Sequence, residues 1–392
     1  MKRRSFLLGA GTVALAQMVV GCRGSQGRTL KVRILKDSIP AQLLNEFRRS
    51  LKQQATVKIA PEVQLKGLFE NLQTWQEKAK DKNTNSGFRV PFIQPKPLEM
   101  ADLVTLGDYW LAPAIEQKLI QPLPIDTLSG WQQLPQQWQA LVRRNNEGKL
   151  DSSGQVWGAP YRWGSTVIAY RKDKFDALGW TPTDWADLWR EELRDRISIL
   201  DNYREAIGLT LKRLGSSYNT QQLDTVPNLK ETLLKLHQQV KLYSSNNYLQ
   251  PLVLGDTWLA VGWSSDVLPL IKRDPQIAAV IPQSGTALWT DVWVQPTPAT
   301  DRSNSSSLAA QWIDFCWQPN PANAISLFTD AASPTLINRD SANIPEGIGD
   351  NPLLLPPAQI IEKSEFLSPL PEASEKQYRS LWQEVRSMTV DS

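Results

Sequence analysis

Four short apolar runs in this chain lead into an acid, and three of those acids stand beside aromatic rings: Asp108-Tyr109-Trp110, Asp201, Trp263-Ser-Ser-Asp266 and Trp289-Thr-Asp291. An indole face attracts a cation, and a carboxylate accepts strong, charge-assisted hydrogen bonds. Where such runs are strands of α/β sheets, their carboxyl ends gather on one side, and ligands bind there. These residue types suit the holding of a ligand.

They do not suit bond making. The 392 residues include one histidine, His237, and two cysteines, Cys22 and Cys316. His237 falls in a polar helical pattern. Cys316 falls in an amphipathic stretch, Ala-Gln-Trp-Ile-Asp-Phe-Cys-Trp, where a thiol serves as a small hydrophobe. This inventory leaves little for a Ser-His-Asp triad, a Cys-His pair, a zinc site or a disulfide scaffold. No phosphate-cradling or dinucleotide glycine fingerprint is present. A protein that is not an enzyme, with no cofactor and no metal, is expected. Tryptophan is over-used, with 16 residues. Most of these are expected in cores.

The N-terminus reads as an export signal. Lys2, Arg3 and Arg4 precede a short apolar run that ends at Val19-Val20-Gly21-Cys22. The run is too short to span a membrane as a mature helix. Arg3-Arg4-x-Phe6-Leu7 fits twin-arginine export. Val-Val-Gly-Cys resembles a lipobox, which predicts cleavage before Cys22 and a diacylglycerol on its thiol. The leader holds three of the 43 basic residues and no acid, so the remainder carries 40 basic and 40 acidic side chains. That balance gives no argument for nucleic acid or anionic lipid as a partner.

Apolar periodicity predicts strands over 30–35, 55–60, 101–106, 156–161, 165–170, 197–200, 258–263, 278–281 and 292–294. Helices are predicted over 40–51, 70–80, 112–118, 185–193, 203–214, 229–239, 266–272, 308–317 and 375–388. Residues 81–97 read as a long surface loop. Alternating strands and helices predict parallel α/β sheets, and the length suits two domains.

At four segments the chain resembles bacterial extracellular solute-binding proteins of the spermidine/putrescine type. They are Ala101-Asp-Leu-Val-Thr-Leu-Gly-Asp-Tyr-Trp, Trp157-Gly-Ala-Pro-Tyr-Arg-Trp-Gly-Ser-Thr-Val-Ile-Ala-Tyr, Asp201-Asn-Tyr-Arg-Glu-Ala-Ile-Gly with the following Leu-Lys-Arg-Leu-Gly-Ser-Ser-Tyr-Asn-Thr220, and Gly262-Trp-Ser-Ser with Leu288-Trp-Thr-Asp-Val-Trp293. The resemblance implies a type II periplasmic-binding-protein fold, in which two α/β lobes close on a solute by a hinge. It implies lobe one over 29–161 and 290–340, lobe two over 162–289, and a C-terminal segment, 341–392, packed on lobe two. A leader, 1–21, and a tether, 22–28, precede them.

By position, the resemblance implies that Trp263 and Trp289 wall the solute and that Asp291 and Glu205 meet ammonium groups. Tyr109 adds a phenol, and Asp108 and Asp201 complete the set. Trp157 and Trp163 would pack at the hinge. The implied partners are a small cationic solute, an ABC permease with its ATPase subunits, and the envelope membrane through Cys22. The implied state is a periplasmic monomer. The chain departs from the family at Leu35-Lys36-Asp37-Ser38, at Gly107-Asp108 and at Asn202. Either Lys36 faces outward and pairs with Asp37 or Asp108, or the solute is not a simple polyamine. An amino-acid-like, zwitterionic or anionic solute held by Lys36 and Arg162 is one alternative. A sensor or scaffold that no longer transports is the other.

Overall fold

The computed structural model describes residues 28–51, 55–81, 99–297 and 303–388. The leader, Cys22, the tether and nearly all of the expected 81–97 loop lie outside these residues.

Lobe one starts from alternation. In β1 (Arg28–Leu35) the side chains of Leu30, Val32 and Ile34 are buried, one on every second position. Helix α1 (Ala41–Ser50) buries Leu43 and Phe47. β2 (Ala55–Glu62), α2 (Leu65–Asp81) and the fully buried β3 (Leu103–Gly107) follow. β1 pairs in parallel with both β2 and β3.

The chain then enters β4 (Ala159–Arg171), a strand of 13 residues. Lobe two is built from β5 (Ile197–Ile199), α3 (Tyr203–Arg213), α4 (Leu229–Gln239), β6 (Val240–Tyr243), β7 (Leu259–Trp263), α5 (Ser264–Arg273) and β8 (Ile277–Val280). β9 (Ala287–Pro296) returns to lobe one, and α6 (Ser303–Trp317) covers it. β10 (Glu365–Phe366) and α7 (Glu372–Ser387) end the described chain.

The strand order is β2-β1-β3-β9-β4-β7-β5-β6, with β8 on β4 and β10 on β9. The expected parallel pairing holds among β1, β2 and β3, and again among β5, β6 and β7. The centre differs: β4 is antiparallel to β9 and β7, and β9 is antiparallel to β3. Two strands therefore cross between lobes. Residues 159–165 of β4 pair with β9, and residues 166–170 pair with β7.

Two strands were expected on either side of Trp163-Gly164, yet β4 is continuous. Trp163 stays in register with Thr290 and exchanges backbone hydrogen bonds with Ala332, at 2.8 and 3.0 Å. The glycine is needed for space, not for a turn. The expected helix over 185–193 is instead two short 3-10 turns, Trp185–Trp189 and Glu191–Leu193, separated by an extended Arg190.

Each lobe has its own core. Leu30, Leu103, Trp293 and Trp312 belong to the first, and Ile197, Ile207, Leu233 and Val261 to the second. Tyr378 and Val385 of α7 join the second core. Trp131, Trp138, Trp163, Trp185, Trp293, Trp312 and Trp317 are fully buried, which accounts for much of the tryptophan excess as packing. Trp263 and Trp289 are among those left partly exposed.

Trp163 packs edge-on against Trp138 at 5.1 Å, beneath the crossing strands. Trp163→Ala is expected to destabilise the fold by about 3–5 kcal/mol, the usual loss for a deleted core indole. Urea unfolding followed by circular dichroism measures this. A loss below about 1 kcal/mol would contradict the packing role.

Candidate functional site

The crossing strands set a row of side chains on one face. Arg162 lies opposite Asp291, Gly164 opposite Trp289, and Thr166 opposite Trp263 of β7. The row runs from lobe one into lobe two. Gly164 is a glycine because Trp289 lies on it. A Cβ there would stand 2.4 Å from Trp289 Cζ2 and 2.5 Å from Ser264 Oγ.

Asp291 was expected to meet an ammonium group of a solute. In the structure it meets Arg162, whose Nε donates to Oδ2 at 2.7 Å, with both side chains buried. The register explains the approach. Asp291 pairs with Arg162 but Val292 pairs with Pro160, so Tyr161 is an extra residue in a β-bulge. A bulge re-aims the side chains around it. Burial works against the Arg162 charge, but the Asp291 carboxylate beside it holds the guanidinium above its ordinary range.

Glu205 is contributed by α3. Asn202 caps that helix, its side chain accepting from the Arg204 N–H at 2.9 Å, and Gly215 closes it with φ +74°. An acid at the third helical position often reaches back to the cap's N–H. Here that N–H donates to the Leu200 carbonyl at 2.8 Å. Glu205 instead accepts from Thr166 Oγ1 at 3.0 Å, and its buried Oε2 has no hydrogen-bond partner. Arg204 does not form the neighbouring ion pair that its position suggests. Its guanidinium donates to the Ser368 carbonyl and to Asn219 Oδ1, both at 3.0 Å, and lies over the Tyr378 ring.

Asp108 follows β3 in a 3-10 turn, Asp108–Trp110, and is buried. Its Oδ1 accepts from the Thr290 N–H at 3.1 Å, which ties it to β9 beside Asp291.

Two buried carboxyls thus lack a cation within ion-pair distance. Burial pushes Asp108 up to about 7, with the Thr290 N–H and Arg144 pulling it down and Asp291 adding to the rise. Burial likewise pushes Glu205 up to about 7; the Thr166 hydroxyl, Arg204 and the Trp263 indole oppose this, and Asp108 adds to it. Glu205 thus senses the charge of Asp108.

At the rim, the half-exposed Tyr109 of lobe one reaches the phenol of Tyr203 in lobe two. The Tyr203 hydroxyl donates to Glu375 of α7, and Arg379 lies over its ring at 5.2 Å. Gln64 and Asn246 make a second bond between lobes, at 3.3 Å. The lobes therefore touch across the cleft.

Asp201 lies apart from these groups. It is exposed and pairs with Arg386 of α7 at 3.2 Å, outside the buried cluster, because the strand it follows ends one turn before α3 turns Glu205 inward. Lys36 is exposed and forms no ion pair with Asp37 or Asp108 among the described residues. Trp157 and Trp163 are buried. The Arg162–Asp291 pair was not legible as a contact, since one unpaired residue in a bulge creates it. Among the described residues no cluster of His, Cys, Asp and Glu is arranged to hold a metal.

A model of the family described as bacterial extracellular solute-binding protein matches residues 99–362. The chain belongs to that family. It is a binding protein rather than an enzyme, and it works outside the cytoplasm. It is 27% identical to the spermidine/putrescine-binding periplasmic protein of Salmonella typhimurium over 284 residues, which is 71% of this chain and 77% of that one. It is 26% identical to a putrescine-binding periplasmic protein of Escherichia coli over 303 residues, 73% of this chain and 78% of that one. A solved spermidine/putrescine ABC transporter substrate-binding protein from Streptococcus pneumoniae shares the fold. Its TM-score is 0.71 at 19% identity, covering 92% of this chain and 99% of that one. The two-lobed architecture is that of periplasmic binding proteins.

The raised carboxyls make a pH prediction for the free protein. Asp108 and Glu205 take up protons more readily folded, at about 7, than at their ordinary values of 3.8 and 4.5. Their contribution to stability is therefore full below pH 4 and is lost as pH rises through 7. Acidification from pH 7.5 to 5.5 is expected to raise the ligand-free melting temperature, and Glu205→Gln to remove part of that slope. Identical slopes in the two proteins would contradict the assignment.

Proposed function

We propose that this protein is the receptor of an ABC importer and captures a polyamine in the cleft between its lobes. A polyamine at neutral pH is a series of ammonium groups joined by apolar methylenes. It needs acceptors set apart and aromatic walls between them. The reading rests above all on Asp108 and Glu205, two buried carboxyls without a cation in contact, beside the half-buried indoles Trp263 and Trp289. In this reading each acid receives one ammonium group, the indoles flank the methylenes, and Tyr109 closes the rim.

The names of the relatives support the same solute class. The exposed position of Lys36 removes the charge that argued most directly against a polycation. Release to a permease would follow opening of the Tyr109–Tyr203 contact. We further propose that Cys22, which lies outside the described residues, carries a lipid after twin-arginine export and holds a monomeric receptor at the membrane. Mass spectrometry of the envelope-extracted protein decides this: a diacylglyceryl Cys22 supports it, and a free thiol or retained Met1 overturns it.

Calorimetric titration of residues 23–392 with putrescine and spermidine tests the solute class. Saturable one-to-one binding is expected. Glu205→Gln is expected to weaken it by about 30-fold or more, the scale of losing one partner of a buried charge pair. Binding that is unchanged in both Glu205→Gln and Asp108→Asn would place the solute elsewhere.

A further inference from the structure

Three buried carboxylates lie along the crossing strands, and among the described residues only one has a cation in direct contact. Asp291 has Arg162; Asp108 and Glu205 have hydrogen bonds from neutral groups. The Arg162 guanidinium is fixed from several sides. Nε donates to Asp291 Oδ2 at 2.7 Å, Nη1 reaches the Thr329 carbonyl at 3.4 Å, and Cζ lies 5.8 Å from the Trp289 ring centre. Its backbone is fixed too, since the Thr290 hydroxyl donates to the Arg162 carbonyl at 2.8 Å. The pair bridges the two crossing strands at directly opposed positions.

A guanidinium so placed does for Asp291 what a ligand ammonium would do. An incoming ammonium group would have to displace it, leaving a buried guanidinium without its carboxylate, which is strongly unfavourable. A planar, weakly hydrated guanidinium is better suited to that buried position than a compact ammonium. Two open carboxylates remain, and they match two ammonium groups.

We propose that Arg162 is a built-in cation that occupies Asp291 and sets the specificity of the cleft for a diamine over longer polyamines. This rests on the polyamine reading above. Removing the charge at residue 162 frees Asp291 for a third ammonium group. The positive charge itself, rather than the shape of the side chain, sets the preference.

The test is calorimetric titration of wild type, Arg162→Gln, Arg162→Met and Arg162→Lys with putrescine, spermidine and ornithine at pH 7.5, with folding checked by circular dichroism. Gln keeps a hydrogen bond to Asp291 without the charge, Met removes both, and Lys keeps the charge. Wild type is expected to bind putrescine at least about tenfold more tightly than spermidine. The Gln and Met variants are expected to improve spermidine binding relative to putrescine by about tenfold or more, and Lys to keep the wild-type ratio. A wild-type preference for spermidine, or a ratio that neither neutral variant moves, overturns the role of Arg162 while leaving the polyamine reading intact. Ornithine binding that is tighter than putrescine and lost in Arg162→Met also overturns it, by making Arg162 a receptor for a solute carboxylate. No response of folded wild type to any amine overturns the polyamine reading and the inference with it.

Discussion

An ionised carboxylate is costly to hold away from water without a cation. Among the described residues Asp108 and Glu205 are buried in that condition, and much of the cleft follows from how they are held. Asp108 accepts from the Thr290 backbone and Glu205 from the Thr166 hydroxyl, both neutral donors. Neither bond matches a full charge, so both groups titrate near neutrality. The energetic strain is local, and it is relieved by protonation or by a cation that enters from solution. Two acids held in this way are destabilised when ionised without a cation.

The surrounding fold keeps those two groups apart and fixed. Asp108 belongs to the end of a lobe-one strand, and Glu205 to the first turn of a lobe-two helix. The crossing strands β4 and β9 connect these positions through a continuous backbone ladder. The same strands carry Trp289 on Gly164 and the Arg162–Asp291 pair. The way the lobes meet therefore sets the spacing of the acids. The C-terminal helix takes part as well, since Tyr203 at the rim is bonded to Glu375 and faced by Arg379.

Much of this was legible in the amino-acid order. Leu30, Val32 and Ile34 announce β1 by alternation, and Gly215 marks the end of α3. The acids and indoles at strand ends stand out in the sequence as residues suited to holding a ligand. What was not legible depends on long-range pairing. Trp163-Gly164 reads locally as a strand break, but Ala332 and Thr290 hold the backbone extended from both sides. Asp291 and Asp201 read alike, as acids after apolar runs. One is paired with Arg162 129 residues away, across a bulge, and the other with Arg386 185 residues away at the surface. Local sequence carries no signal for either partner. Arg204 next to Glu205 suggested a salt bridge, yet the helix start turns the two side chains to different neighbours.

The most direct test of the account is proton release on binding. Putrescine is titrated into the free protein at pH 6.5 in buffers of different ionisation enthalpy, and the dependence of the observed heat on buffer gives the number of protons exchanged. If Asp108 and Glu205 both ionise to receive ammonium groups, protons should leave as the solute binds, as two groups titrating near 7 require. Binding with no proton release would contradict the account, because the solute would then be held by groups already charged or by none at all.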